Sequence, residues 1–136
     1  MADARQRKLV QAALRARRKA CAPFSGFAVG AALLTRRGGI ITGANVESAS
    51  YGLTCCAERV ALFKALTDGF TDLVAVAIVA RTPGGPMPCG ACRQLLAEYA
   101  PSGTVWVADS RRPATVREFT VSELLPGAFS AQSLPD

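Results

Sequence analysis

Two cysteine-bearing segments, Cys55-Cys56-Ala57-Glu58-Arg59 and Pro88-Cys89-Gly90-Ala91-Cys92-Arg93, constrain this chain more than any other feature in it. Each reads as the opening of a helix. Between them lie the rest of the first helix, a buried strand and a turn-rich loop, enough chain to bring the second helix start back to the first. Cys89 and Cys92, three apart, share one side of a helical first turn. Gly90 and Ala91 let the backbone come close without steric cost. The positive end of a helix favours thiolate over thiol, and Cys56 can supply a third sulfur in the same way. A fold in which these sulfurs meet must aim two helix N-termini at one point.

Such a cradle suits zinc. Three protein ligands leave a position open for catalysis, whereas four make a closed structural site. A four-cysteine knuckle would need Cys55 and Cys56 on one ion, which is strained for adjacent helical positions unless the helix starts between them. Cys-Gly-Ala-Cys alone also suits a redox pair at a helix start, but that reading leaves Cys56-Ala57-Glu58 idle. Arg59 and Arg93 are placed to donate to the sulfurs and draw off their charge. Glu58 is close enough to serve as an acid–base group without joining the ligand set, although its spacing from Cys56 does not by itself aim it at the open position.

A chain of 136 residues, half of them hydrophobic, fits one domain spanning residues 1–136. No apolar run approaches the length that crosses a bilayer and no signal-peptide pattern opens the chain, so the expected location is the cytoplasm, with no membrane partner. Five cysteines, four of them in two short motifs, there argue for metal rather than disulfides. Cys21 is left over and is expected to be a small buried residue. Residues 1–19 carry seven basic side chains against Asp3, while the remainder is neutral, with nine of each sign. Basic charge confined to one terminal helix reads as a solvated face and argues against nucleic acid as a partner.

In chain order, residues 3–20 read as a helix with an apolar stripe of Leu9, Val10, Ala13 and Leu14, stopped by Pro23. Phe24, Ser25 and Gly26 form a loop. Ala28 to Thr35 and Ile40 to Ala44 read as a hairpin around Arg37-Gly38-Gly39. Asn45 and Glu47 follow as loop or capping residues. The second helix runs over 55–67, with Val60, Ala61, Phe63 and Leu66 suited to burial. Leu73 to Ala80 reads as a central strand covered on both faces. The loop Thr82 to Pro88 leads to a helix over 90–98. Strands at Thr104 to Ala108 and Ala114 to Phe119 follow, then a short helix from Thr120 or Ser122 to Leu125 and a tail carrying Phe129. The sum is a layered α/β domain around a mixed sheet of five strands.

Cys-Ala-Glu-Arg followed by Pro-Cys-Gly-Ala-Cys-Arg resembles the cytidine deaminase family, in its small nucleoside-acting form with three cysteine ligands. Ala22-Pro23-Phe24-Ser25-Gly26-Phe27-Ala28-Val29-Gly30-Ala31, Gly43-Ala44-Asn45-Val46-Glu47 and Leu124-Leu125-Pro126-Gly127-Ala128-Phe129 resemble family segments in the expected order. Phe24 stands where many relatives carry tyrosine. The resemblance implies a three-layer α/β/α fold and one Zn2+ per subunit on Cys56, Cys89 and Cys92. Glu58 is then the catalytic group, moving a proton from metal-activated water to the ring and its leaving amine. Asn45 and Glu47 would bind the ribose hydroxyls, Phe27 and Phe129 would form an aromatic wall, and Tyr51 would lie near a site shared between subunits of a homotetramer. A backbone amide near Cys56, that of Ala57, and the amide of Cys89 would help orient the substrate. The implied reaction is hydrolytic deamination of cytidine and 2′-deoxycytidine in pyrimidine salvage. The alternatives are a deaminase of blasticidin S or of nucleic-acid cytosine, and a structural-zinc binding module.

Overall fold

The computed structural model describes residues 3–135; the outermost residues of the expected domain, Met1, Ala2 and Asp136, lie outside that range. Helix α1 (Ala4–Ala16) starts where Asp3 accepts a 2.7 Å hydrogen bond from the Arg5 amide. Its stripe of Leu9, Val10, Ala13 and Ala16 is buried. It ends before the expected residue 20, tightening into a 3-10 turn over Arg17–Lys19. The cause is close packing on β1 (Val29–Thr35). A Cβ at Gly30 would lie 2.0 Å from the Ala13 carbonyl oxygen, and the Arg17 guanidinium donates to the Ala28 carbonyl at 3.0 Å.

Strands β1 and β2 (Ile40–Ala44) form the expected hairpin, with Leu34 opposite Ile40 and Gly38 at a φ of +94° in the turn. Strand β3 (Leu73–Ala80) pairs antiparallel with β1 and parallel with β4 (Thr104–Asp109), which pairs antiparallel with β5 (Val116–Thr120). The order is β2-β1-β3-β4-β5, so the most apolar strand is the central one. Strand β5 starts two residues later than expected, because turns closed by Arg112 N–H to Asp109 and Thr115 N–H to Arg112 take up the chain first.

Successive residues of β1, β3 and β4 feed opposite faces. Ala32, Leu34, Ala75, Ala77, Val79, Trp106 and Ala108 meet α1. Ala31, Leu33, Val76, Ile78, Val105 and Val107 meet the other layer, made by α2 (Ala57–Thr67), α3 (Gly90–Tyr99) and α4 (Val121–Leu124). This is a mixed five-stranded sheet between helical layers. Two burial expectations need correction. Helix α2 turns Ala57, Ala61, Leu62 and Ala65 inward, which leaves Phe63 on its outer side and 44% exposed. Cys21 is exposed, bridging Val46 at the border of the fold rather than filling the core. Among the described residues, no helix is long and apolar enough to cross a membrane.

Candidate metal centre and active site

Helices α2 and α3 begin at cysteines. Cys56 and Cys89 are their N-caps, both with extended backbone, and Cys92 lies in the first turn of α3. Strands β2 and β3 set these starts: both run antiparallel to β1, with Ala44 and Val79 each opposite Gly30, so the chain leaves both strands at the same edge of the sheet to open α2 and α3. The Cys56 and Cys89 sulfurs lie 3.7 Å apart, those of Cys89 and Cys92 3.4 Å, and all three within 4.8 Å of one another. Tetrahedral zinc with bonds of about 2.3 Å would set its sulfurs about 3.8 Å apart. The fit is close.

Cys55 stays outside. It lies ahead of the helix, in an antiparallel bridge with Val46, with amide–carbonyl bonds of 2.9 and 3.0 Å. The helix does start just beyond the Cys pair, yet the backbone pairing directs only Cys56 into the cluster. Burial pushes the Cys55 thiol above its ordinary range. The Cys56 thiol is pulled down to about 5, first by the hydrogen bond it shares with Cys92 and then by Arg59, whose NH2 lies 3.4 Å from its sulfur. The same sharing, with burial, pushes the Cys92 thiol up. The Arg59 Nε is buried with no hydrogen-bond partner among the described residues, a further donor beside this sulfur-rich site.

Arg93 departs from expectation. Its Nε donates to the Pro88 carbonyl at 2.8 Å and its NH1 to the Leu124 carbonyl at 3.0 Å, so these bonds go to backbone rather than sulfur. Glu58 is 5% exposed, in the first turn of α2, and burial holds its carboxyl above the ordinary range, the Cys56 charge adding to the rise. Ala57, ahead of it, is fully buried, its amide among the N-terminal helix amides that lack an intrahelical partner.

Asn45 and Glu47 hold the Phe24–Phe27 loop. The Asn45 side chain accepts from the Val29 amide and donates to the Phe27 carbonyl, both at 2.8 Å. Glu47 accepts from the Phe24 and Ser25 amides at 3.0 Å and from the Ser25 hydroxyl. Glu47 and Tyr51 line a cavity of about 370 Å³ with Phe24, Ser25, Ser48 and Thr54. Phe27 and Phe129 are not part of that lining; they are 41% and 56% exposed. Sequence reading gave no role to Ser25 or Gln94. Their partners, Glu47 and the Phe129 carbonyl, lie 22 and 35 residues away, beyond the reach of any local pattern.

Residues 3–108 match the cytidine and deoxycytidylate deaminase zinc-binding region. The chain belongs to that deaminase family. The cytidine deaminase of Halalkalibacterium halodurans is 53% identical over 129 residues, 94% of this chain and 96% of its own length. The crystal structure of cytidine deaminase from Burkholderia pseudomallei superposes with a TM-score of 0.85 at 47% identity, covering 90% of this chain and 97% of that one. A blasticidin-S deaminase of Bacillus cereus is more distant, at 34% over 106 residues, covering 72% of this chain and 74% of its own. Zinc is the metal of this family, and the three-sulfur cluster is where this deaminase would hold it.

Proposed function

We propose that this chain hydrolytically deaminates cytidine and 2′-deoxycytidine, giving uridine or 2′-deoxyuridine and ammonia, as a single-domain enzyme of pyrimidine salvage in the cytoplasm. The observation that carries this reading is the convergence of Cys56, Cys89 and Cys92 beside the buried carboxyl of Glu58. Zinc held by those sulfurs supplies a Lewis acid and lowers the pKa of water toward neutrality. Glu58 supplies the proton traffic. It takes one proton from the attacking water as the C4–O bond forms and delivers it to ring N3, then takes the remaining proton from the C4 hydroxyl and delivers it to the amine as the C4–N bond breaks. No proton is gained or lost overall. Arg59 draws charge from Cys56, offsetting the negative cluster of three sulfurs.

Asn45 and Glu47 bind the ribose hydroxyls while keeping their hold on the Phe24–Phe27 loop; Asn45 retains one N–H and one lone pair beyond its two recorded bonds. A site that pairs with sugar hydroxyls penalises a free base, because its polar groups would be left unpaired. The amides of Ala57 and Cys89 orient the pyrimidine. Phe27, with Phe129 and Tyr51 reaching between subunits, walls the base in a homotetramer with shared sites. The blasticidin-S relative supports a second reading, in which the cytosine head is kept and the sugar contacts differ. The test offers cytidine, 2′-deoxycytidine, cytosine, blasticidin S and single-stranded DNA in parallel to zinc-loaded protein, with mass detection of products. Turnover of the two nucleosides well above the others is expected. Preference for blasticidin S or DNA would overturn the substrate assignment.

A further inference from the structure

We propose that Gln94, paired with Arg93, is a positioning residue that ties the segment bearing Phe129 to the metal-carrying helix. Consecutive residues of α3 hold both ends of that segment. Arg93 NH1 donates to the Leu124 carbonyl at 3.0 Å, and Gln94 Nε2 donates to the Phe129 carbonyl at 2.9 Å. Arg93 Nε also holds the Pro88 carbonyl, one residue before Cys89, at 2.8 Å. One side chain thus links the metal loop to the end of α4, and its neighbour fixes the chain five residues further on.

Between the two anchors the backbone leaves helical geometry at Leu125 and turns through Gly127 at a φ of +63°, so it has no ladder of its own to fix its path. Within its own subunit Phe129 is more than half exposed, so packing inside the chain does little to fix its position. The Gln94 amide reaches the Phe129 backbone itself, so it governs where the ring leaves the chain. Gln94 also lies 3.2 Å from a Glu98 carboxylate oxygen one turn on, which steadies its rotamer.

This inference rests on the assignment of Phe129 to the pyrimidine wall, and its test separates the two. Gln94→Met removes the donor at similar length; Gln94→Lys keeps a donor with comparable reach and a partner in Glu98. Each zinc-loaded full-length protein is measured for hydrogen exchange over residues 126–135, zinc content, and kcat and KM for cytidine. Loss of one such hydrogen bond predicts a rise of about three- to tenfold in tail exchange and in KM for Gln94→Met. Zinc content and kcat stay near wild type, and Gln94→Lys recovers most of both effects. Unchanged tail exchange in Gln94→Met overturns the anchor, and a joint fall of zinc and kcat reduces Gln94 to a fold-stabilising role. A tail that loosens in Gln94→Met while wild type deaminates nothing upholds the anchor and rejects the deaminase reading beneath it.

Discussion

Cys55 and Cys56 are chemically identical neighbours with different fates, set by one residue of backbone geometry. Cys55 pairs with Val46, whereas Cys56 caps α2 and joins the sulfur cluster. Cys56→Ala is therefore expected to lose zinc, while Cys55→Ala keeps it; metal analysis of the two purified variants checks this, and the reverse pattern would move the ligand to Cys55. Glu47 makes a second prediction. Its carboxyl is held below the ordinary 4.5, chiefly by the Ser25 hydroxyl and then by the Ser25 and Phe24 amides. Because the folded value is depressed, the grip on the loop is complete above pH 4.5 and is lost as pH falls through the folded value. Protection of the Phe24 and Ser25 amides from exchange should fall in that window. Ser25→Ala should move the onset upward toward the ordinary value. Protection that stays constant through the window would contradict the assignment.

At the scale of the element, the approach of α2 to β2 decides how the catalytic turn is seated. A Cβ at Gly43 would lie 2.5 Å from the Ala61 amide nitrogen and 2.7 Å from the Ala57 carbonyl oxygen. Gly43→Ala must push α2, and with it Ala57 and Glu58, off the sheet. A loss of about 1–3 kcal/mol in stability is expected from overpacking, with weakened zinc retention, both measurable by denaturation and metal competition. Most elements were legible in the sequence because their signals are local. Capping residues, a hairpin around Arg37-Gly38-Gly39 and the unbroken apolar run Leu73–Ala80 each fall where an element lies. Phe63 was not legible. Helix α2 carries apolar residues around most of its circumference, so only packing against Gly43 and the sheet reveals which stripe faces inward. The metal ligands stood out because their spacing is itself the chemistry. The bonds of Ser25, Arg93 and Gln94 did not, because each joins segments brought together only by the finished fold.

For the whole molecule, the strand order places β2 and β3 on either side of β1 and antiparallel to it, so the strand ends that lead into α2 and α3 lie at the same edge of the sheet. That order is a long-range property, invisible to periodicity. The proposed tetramer belongs to this scale as well. Tyr51, Leu53 and Phe129 are 82%, 74% and 56% exposed in the single subunit, which leaves them available for the contacts between subunits that the proposal assigns. Sedimentation of wild type should give a tetramer, and Phe129→Ala should raise KM for cytidine by about tenfold through loss of a stacking ring. A catalytically competent monomer would contradict the sharing of sites. The most direct test of the chemistry measures zinc content and uridine release on the same samples of wild type and Glu58→Gln. The expected result is equal zinc in both, rapid conversion of cytidine by wild type, and a loss of about a hundred- to ten-thousandfold in the variant. A Glu58→Gln protein that binds zinc and turns over cytidine at the wild-type rate would remove Glu58 from the reaction and contradict the assignment of this site.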